Sequence, residues 1–129
     1  MTSAREVPML RQERVYREFP ASFATGEQGT FRLYFQKRTL ITHVRGVVTH
    51  VIAGTDNGTI TIKNSVNAAW TDGVITAAAS DALATNYLVT PLADDAIISA
   101  GDYLQIVTAK TTAGGVVALA FEGYELPAS

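Results

Sequence analysis

At 129 residues the chain has room for one domain with a sizeable core and too little for two, and with 47% apolar and 17% charged residues it is not disordered over most of its length. The absence of cysteine excludes disulfide stapling, thiolate catalysis and Cys-based metal sites. The net charge of −2 hides a division: residues 1–45 carry eight basic and four acidic side chains, a net of +4, whereas residues 46–129 carry two and eight, a net of −6. A basic front of this kind suits an acidic partner. Nucleic acid is not the expected one, because Glu6, Glu13, Glu18 and Glu27 interrupt the arginines and no continuous basic stripe with stacking aromatics forms. No apolar run approaches the length of a membrane span, and the first residues lack the apolar core of a secretion signal, so neither a membrane partner nor an address is expected.

The first segment reads as an extended arm, residues 1–25, ahead of a main domain, residues 26–129. Pro8 and alternating charge occupy the front, and RVYREFP then sets Val15, Arg17 and Phe19 on one alternating face before Pro20, the pattern of a short extended or edge strand. A helix over residues 3–18 is the alternative suggested by Met9, Leu10, Glu13 and Arg14, with Pro8 against it. ASFATGEQGT follows as a loop.

The main domain is a succession of strands. Phe31, Leu33 and Phe35 alternate with Arg32, Tyr34 and Gln36, as on a half-buried strand. The β-branched run from Leu40 to Ala53 sets Ile41, Val47 and Val51 on one face and Val44, Val48 and Ile52 on the other; Gly46 is the expected bulge or bend between two buried faces. Asp56-Asn57-Gly58 ahead of TITIK is the strongest hairpin signal in the chain. Further strands are expected at 73–78, 86–90, 96–99, 103–109 and 115–125, while the alanine-rich segment 77–86 reads as a loop. Eight or nine short strands with regular turn signals imply an all-β sandwich or barrel.

Motifs of known chemistry are missing. AGTDNG and TTAGGV lack the spacing and the following helix of a phosphate loop, and the serines lack a nucleophile elbow. His43 and His50 stand at an odd offset, facing opposite sides of an uninterrupted strand and sharing a face only if Gly46 carries a bulge. Asp94, Asp95 and Asp102 flank one short strand and suit either turn hydrogen bonds or a calcium ion, without EF-hand spacing. Trp70, with Tyr34, Tyr87 and Tyr103, suits either core packing or an exposed aromatic contact. No catalytic residue, cofactor or metal is expected.

The stretch THVRGVVTHVIAGTDNGTITIKN, then GVITAAAS, and later IISAGDYLQIVTAKTTAGGVVALAFEGYEL resemble small jelly-roll proteins of the structural modules of tailed bacteriophages. The likeness covers residues 39–125. It implies a single jelly-roll-like β-sandwich of about eight strands, acting as a capsid decoration (cement) protein or a head-fibre base. Expected partners are the major capsid protein, further copies of the chain in a homotrimer, and a head fibre. The place would be the outer surface of the virion, after synthesis in the host cytoplasm. A carbohydrate- or receptor-binding module of a fibre or tail is the alternative. The resemblance transfers no catalytic residues. Exposed strand edges suit strand addition to a neighbour. On these grounds Arg5, Arg11, Arg14 and Arg17 are the candidates to pair with capsid carboxylates, with Val15, Tyr16 and Phe19 as apolar anchors, and Trp70 as a separate exposed contact.

Overall fold

A computed structural model describes residues 13–127, which form nine strands and, among the described residues, no helix. They are β1 (Arg14–Ser22), β2 (Gly29–Phe35), β3 (Thr39–His50), β4 (Gly58–Lys63), β5 (Ala69–Ala77), β6 (Asn86–Val89), β7 (Ile97–Ile98), β8 (Asp102–Ala109) and β9 (Val116–Glu125). One sheet runs β1-β9-β3-β6, with the short β7 also on β3; the other runs β2-β8-β4-β5. Every pairing is antiparallel. Successive strands alternate between the sheets except at β4–β5 and β6–β7, and the first and last strands are neighbours. That is the strand order of a jelly roll, so the fold is an all-β sandwich of this kind.

The core lies between the sheets because alternate residues of each strand point there. Leu33 and Phe35 of β2, Ile60 and Ile62 of β4, Leu104 and Ile106 of β8, and Val117, Leu119 and Phe121 of β9 are all buried. In β1 the inward residues are Val15, Arg17, Phe19 and Ala21; Val15 and Phe19 pack on the core and Ala21 is buried within it. β1 pairs along its whole length with β9 of its own chain, from Arg14 opposite Tyr124 to Ser22 opposite Val116. Residues 14–22 of the segment read as an arm are therefore the edge strand of the sandwich, and a helix does not extend over them. The remainder of that segment up to residue 12 lies outside the described residues.

Several local expectations change. The buried face of β3 switches at Thr42–His43, where the register with β9 slips, and not at Gly46; Ile41 precedes the slip, and Val44 and Val48 follow it on the core side. Gly46 instead lies under Val117 and Leu119, where an added Cβ would stand 3.0 and 3.3 Å from their side chains. A second slip before His50 turns that histidine outward. The Asp56-Asn57-Gly58 segment is not a hairpin turn, since β3 and β4 belong to different sheets and the chain crosses between them here. The sequence-adjacent pair in the second sheet is β4–β5, with Ile60 opposite Ile75. Its connection is organised by Asn64, whose Oδ1 accepts from the backbone N–H of Val66 and Ala68 at 3.0 and 2.9 Å, and by Asn67 with φ +66°.

Candidate docking surface

The edge strands define two margins. β1 and β2 form one; β6 and β7 with β5 form the other. The margin of β1 and β2 does not close. Between the start of β1 and the end of β2 lies an open cleft of about 540 Å³, lined by Arg14, Val15, Tyr16 and Arg17 from β1, Tyr34 and Phe35 from β2, and Gln36, Lys37, Thr39 and Glu125 beyond them. Four of the seven residues singled out as partner contacts thus surround one cavity.

Alternation along β1 decides what each of them offers. Arg17 points inward, stacks its guanidinium 5.3 Å from the Phe35 ring centroid and donates from Nη1 to the Tyr34 carbonyl at 2.7 Å, so it bridges the two edge strands. Arg14 and Tyr16 point outward. Arg14 lies over the Tyr124 ring at 5.5 Å, and the Tyr16 hydroxyl donates to Glu18 Oε2 at 3.1 Å; that bond, to a carboxylate, raises the Tyr16 pKa above the ordinary phenol value. Phe19, on the same inward face of β1 but farther along it, lies outside the cleft, with its ring 5.5 Å from that of Phe31. Arg5 and Arg11 lie outside the described residues. Lys37, 72% exposed, stands 3.7 Å from Glu125, a contact that water and salt weaken. With three cations, one carboxylate and an apolar floor of Val15 and Phe35, the cleft suits a carboxylate-bearing extended chain.

Trp70 is corrected from a candidate exposed contact to a core residue. It is the second residue of β5 rather than part of a loop, and the alternation that exposes Thr71 turns its side chain inward, leaving it 3% exposed. Gly73 makes room for it: a Cβ there would fall 2.6 Å from that of Trp70. The aromatic group proposed from sequence is divided by the fold. Tyr34 and Tyr103 meet across β2 and β8 at 5.0 Å, with Arg32 4.5 Å over the Tyr103 ring, whereas Tyr87 lies on β6 in the other sheet. Tyr87 donates to Asp81, and burial followed by this bond raises its pKa.

The histidines stay apart in function as in sequence. His43 sits on the outer face of the first sheet, its Nε2 3.1 Å from Glu122 Oε1 but without hydrogen-bond geometry, and Arg45 Nε is 3.3 Å from the same carboxylate. Asp95 Oδ2 accepts the Thr71 N–H at 2.9 Å and Asp102 Oδ1 that of Tyr103 at 2.9 Å, so two of the three carboxylates considered for calcium hold backbone. Among the described residues no group of three or more acidic or histidine side chains is arranged to hold a metal ion.

No local pattern of residues marks the polar fastener at the other end of the sandwich. Lys110, whose side chain is wholly buried, donates to the carbonyl and Oδ1 of Asp56 at 2.6 and 2.8 Å; Asp56 also accepts the N–H groups of Thr111 and Thr112. The Lys110 ammonium holds the Asp56 carboxyl down at about 2, from an ordinary 3.8. Residues 54 places apart carry no short-range signal for such a bond.

No protein-family model and no curated protein matches the chain. Among solved structures it is similar to a subunit of the pili that form Bacillus endospore appendages, at 16% identity over 91% of this chain and 88% of that one, with a TM-score of 0.40. It is also similar to the virus-like particle protein of the extra small virus of the prawn Macrobrachium rosenbergii, at 14% identity over 88% and 78%, TM-score 0.43. A third likeness is to VP2 of infectious bursal disease virus, at 16% identity over 89% of this chain and 32% of that one, TM-score 0.30. The jelly-roll assignment stands on the strand order of this chain and not on these likenesses.

Proposed function

We propose that the chain is a structural protein of a virus particle, a decoration protein on the outer surface of a tailed-phage capsid, binding the major capsid protein without covalent chemistry and acting as a homotrimer. The observation that carries this reading is the open β1–β2 margin. There the basic cleft gathers Arg14, Val15, Tyr16 and Arg17, and β1 and β2 each present an unpaired backbone edge. The jelly-roll order and the resemblance of residues 39–125 to phage structural proteins support it. Arg5 and Arg11, among residues 1–12, add to the basic charge of the chain's front. Three copies would multiply a modest single contact, with avidity gains of about 10²–10⁴-fold.

Retention on expanded, undecorated capsids tests the reading. The full chain is expected to co-sediment with capsids and to be released by salt. Removal of residues 1–12, which leaves β1 whole, and Arg14→Glu in the full chain are each expected to reduce retention. Undiminished retention of both variants would overturn the role of this margin.

A fibre or tail module that binds carbohydrate or a receptor is the second reading, favoured by one observation: the exposed Tyr34 ring beside Tyr103 and Arg32 on the outer face of the second sheet. Saturable glycan binding lost in Tyr34→Ala would support it.

A further inference from the structure

At the same end of the sandwich as the basic cleft lies a groove of about 220 Å³ between the β4–β5 connection, the segment around β7 and the start of β8, whose Asp102 and Tyr103 pair with Phe35 and Tyr34 of the cleft. Asp94, Asp95 and Asp102 line it, and among the described residues no lysine or arginine does. Val66 and Ile97 stand beside them, 80% and 44% exposed. The basic cleft has the converse make-up: Arg14, Arg17 and Lys37 against Glu125, with Tyr16 and Tyr34 exposed at its rim. One surface carries a net +2 and the other −3, and each adds exposed apolar side chains to its charges.

We infer that these two surfaces are the two halves of one contact between copies of this chain: the basic β1–β2 cleft of one copy receives the acidic groove margin of the next. The inference rests on the proposed self-association and specifies its surfaces. Charge is what selects the partner. Cleft against cleft or groove against groove would juxtapose like charges, so the contact sets the cleft of one copy against the groove of another. The exposed Tyr16, Tyr34, Val66 and Ile97 would be covered by the contact, supplying apolar burial that charge alone does not.

Charge reversal of each surface in the full chain, followed by absolute mass and dissociation constant from light scattering and sedimentation, tests the inference. Arg14→Glu/Lys37→Glu makes the cleft acidic, and Asp94→Lys/Asp102→Lys makes the groove basic; Asp95 is left in place because its carboxylate ties the Thr71 N–H of β5, whereas that of Asp102 reaches only the N–H of the next residue. Each reversal is expected to weaken association at least about tenfold, and the quadruple variant, with both surfaces reversed, to regain it. Raising sodium chloride from about 0.05 to 0.5 M should weaken the unaltered chain, because salt of that strength screens charges beyond a few ångströms. Unfolding curves matching the unaltered chain confirm that each variant is folded. An unaltered trimer that survives either reversal overturns these surfaces but leaves self-association standing. A chain that is monomeric at every concentration overturns both.

Discussion

The two ends of the sandwich are built from similar loops and differ in how those loops are held. At one end the connections 23–28, 51–57, 78–85 and 110–115 are tied to each other. Lys110 is anchored on Asp56, its backbone N–H donates to Gln28 Oε1 at 2.7 Å, Asn57 accepts the Ala79 N–H at 3.0 Å, and Ile52 exchanges backbone bonds with Ser80 and Asp81. At the other end the connections 36–38, 64–68 and 90–101 frame the basic cleft and the acidic groove, and Lys37 and Glu125 meet in solvent. The lesson is that charge closes one end and stays available at the other. A buried cation on a carboxylate whose oxygens are saturated fixes structure, while exposed, partly satisfied charges keep their capacity for a partner.

Lysine exchange should break this comparison most sharply. Lys110→Ala removes the cation that holds Asp56 to the 110–115 connection and is expected to lower the melting temperature by on the order of 10 °C, whereas Lys37→Ala at the open end should leave it within about 2 °C. Differential scanning calorimetry of the pair decides it; equal shifts would mean that the ends do not differ in this way. Glycine exchanges come next. An added Cβ at Gly58 would meet the buried Phe23 ring at 2.6–2.9 Å, so Gly58→Ala should cost about 1–3 kcal/mol in urea unfolding. Gly101, at the open end with φ +80° and nothing within 4 Å, should cost about 1 kcal/mol from backbone strain alone.

Acid sharpens the contrast further. The Asp56 carboxyl is depressed to about 2 in the folded chain, so its contribution is complete above the ordinary carboxylate range and is lost as pH falls from about 4 through 2. Stability measured against pH should therefore fall more steeply over that interval in the unaltered chain than in Asp56→Asn. The smallest expected effect concerns Trp70, the sole tryptophan, buried at the start of β5. Its emission should be blue-shifted and resistant to iodide. Trp70→Phe, which removes an indole N–H without a partner among the described residues, should change stability by about 1 kcal/mol or less.

Where a strand has one wet and one dry face, its residues announced it. Val15 to Ala21 and Phe31 to Phe35 alternate, and both form strands with the expected residues inward. β3 was harder, because a bulge changes which residues face the core without changing composition; Thr42–His43 has no glycine to mark it. Asp56-Asn57-Gly58 carried turn chemistry, but turn residues do not state whether the next strand joins the same sheet. Trp70 was misplaced because the start of β5 reads NAAW, too poor in β-branched residues to look like a strand, although pairing of Ala69 with Lys63 makes it one. Asn64 and Asn67 were the available signal for the connection before it. For the candidate docking surface, Arg14, Val15, Tyr16 and Arg17 were singled out in sequence, whereas Tyr34, Phe35 and Lys37 joined them only through folding.

By itself, then, the sequence determined the all-β class, most strand positions and the basic character of the chain's front, because periodicity and charge are properties of near neighbours. Tertiary structure alone decided that β1 closes onto β9, that Lys110 finds Asp56, and that a basic cleft and an acidic groove meet at one end. Those facts depend on which sheet each strand enters, and that choice is made by burial summed over the whole core, not by any local run of residues.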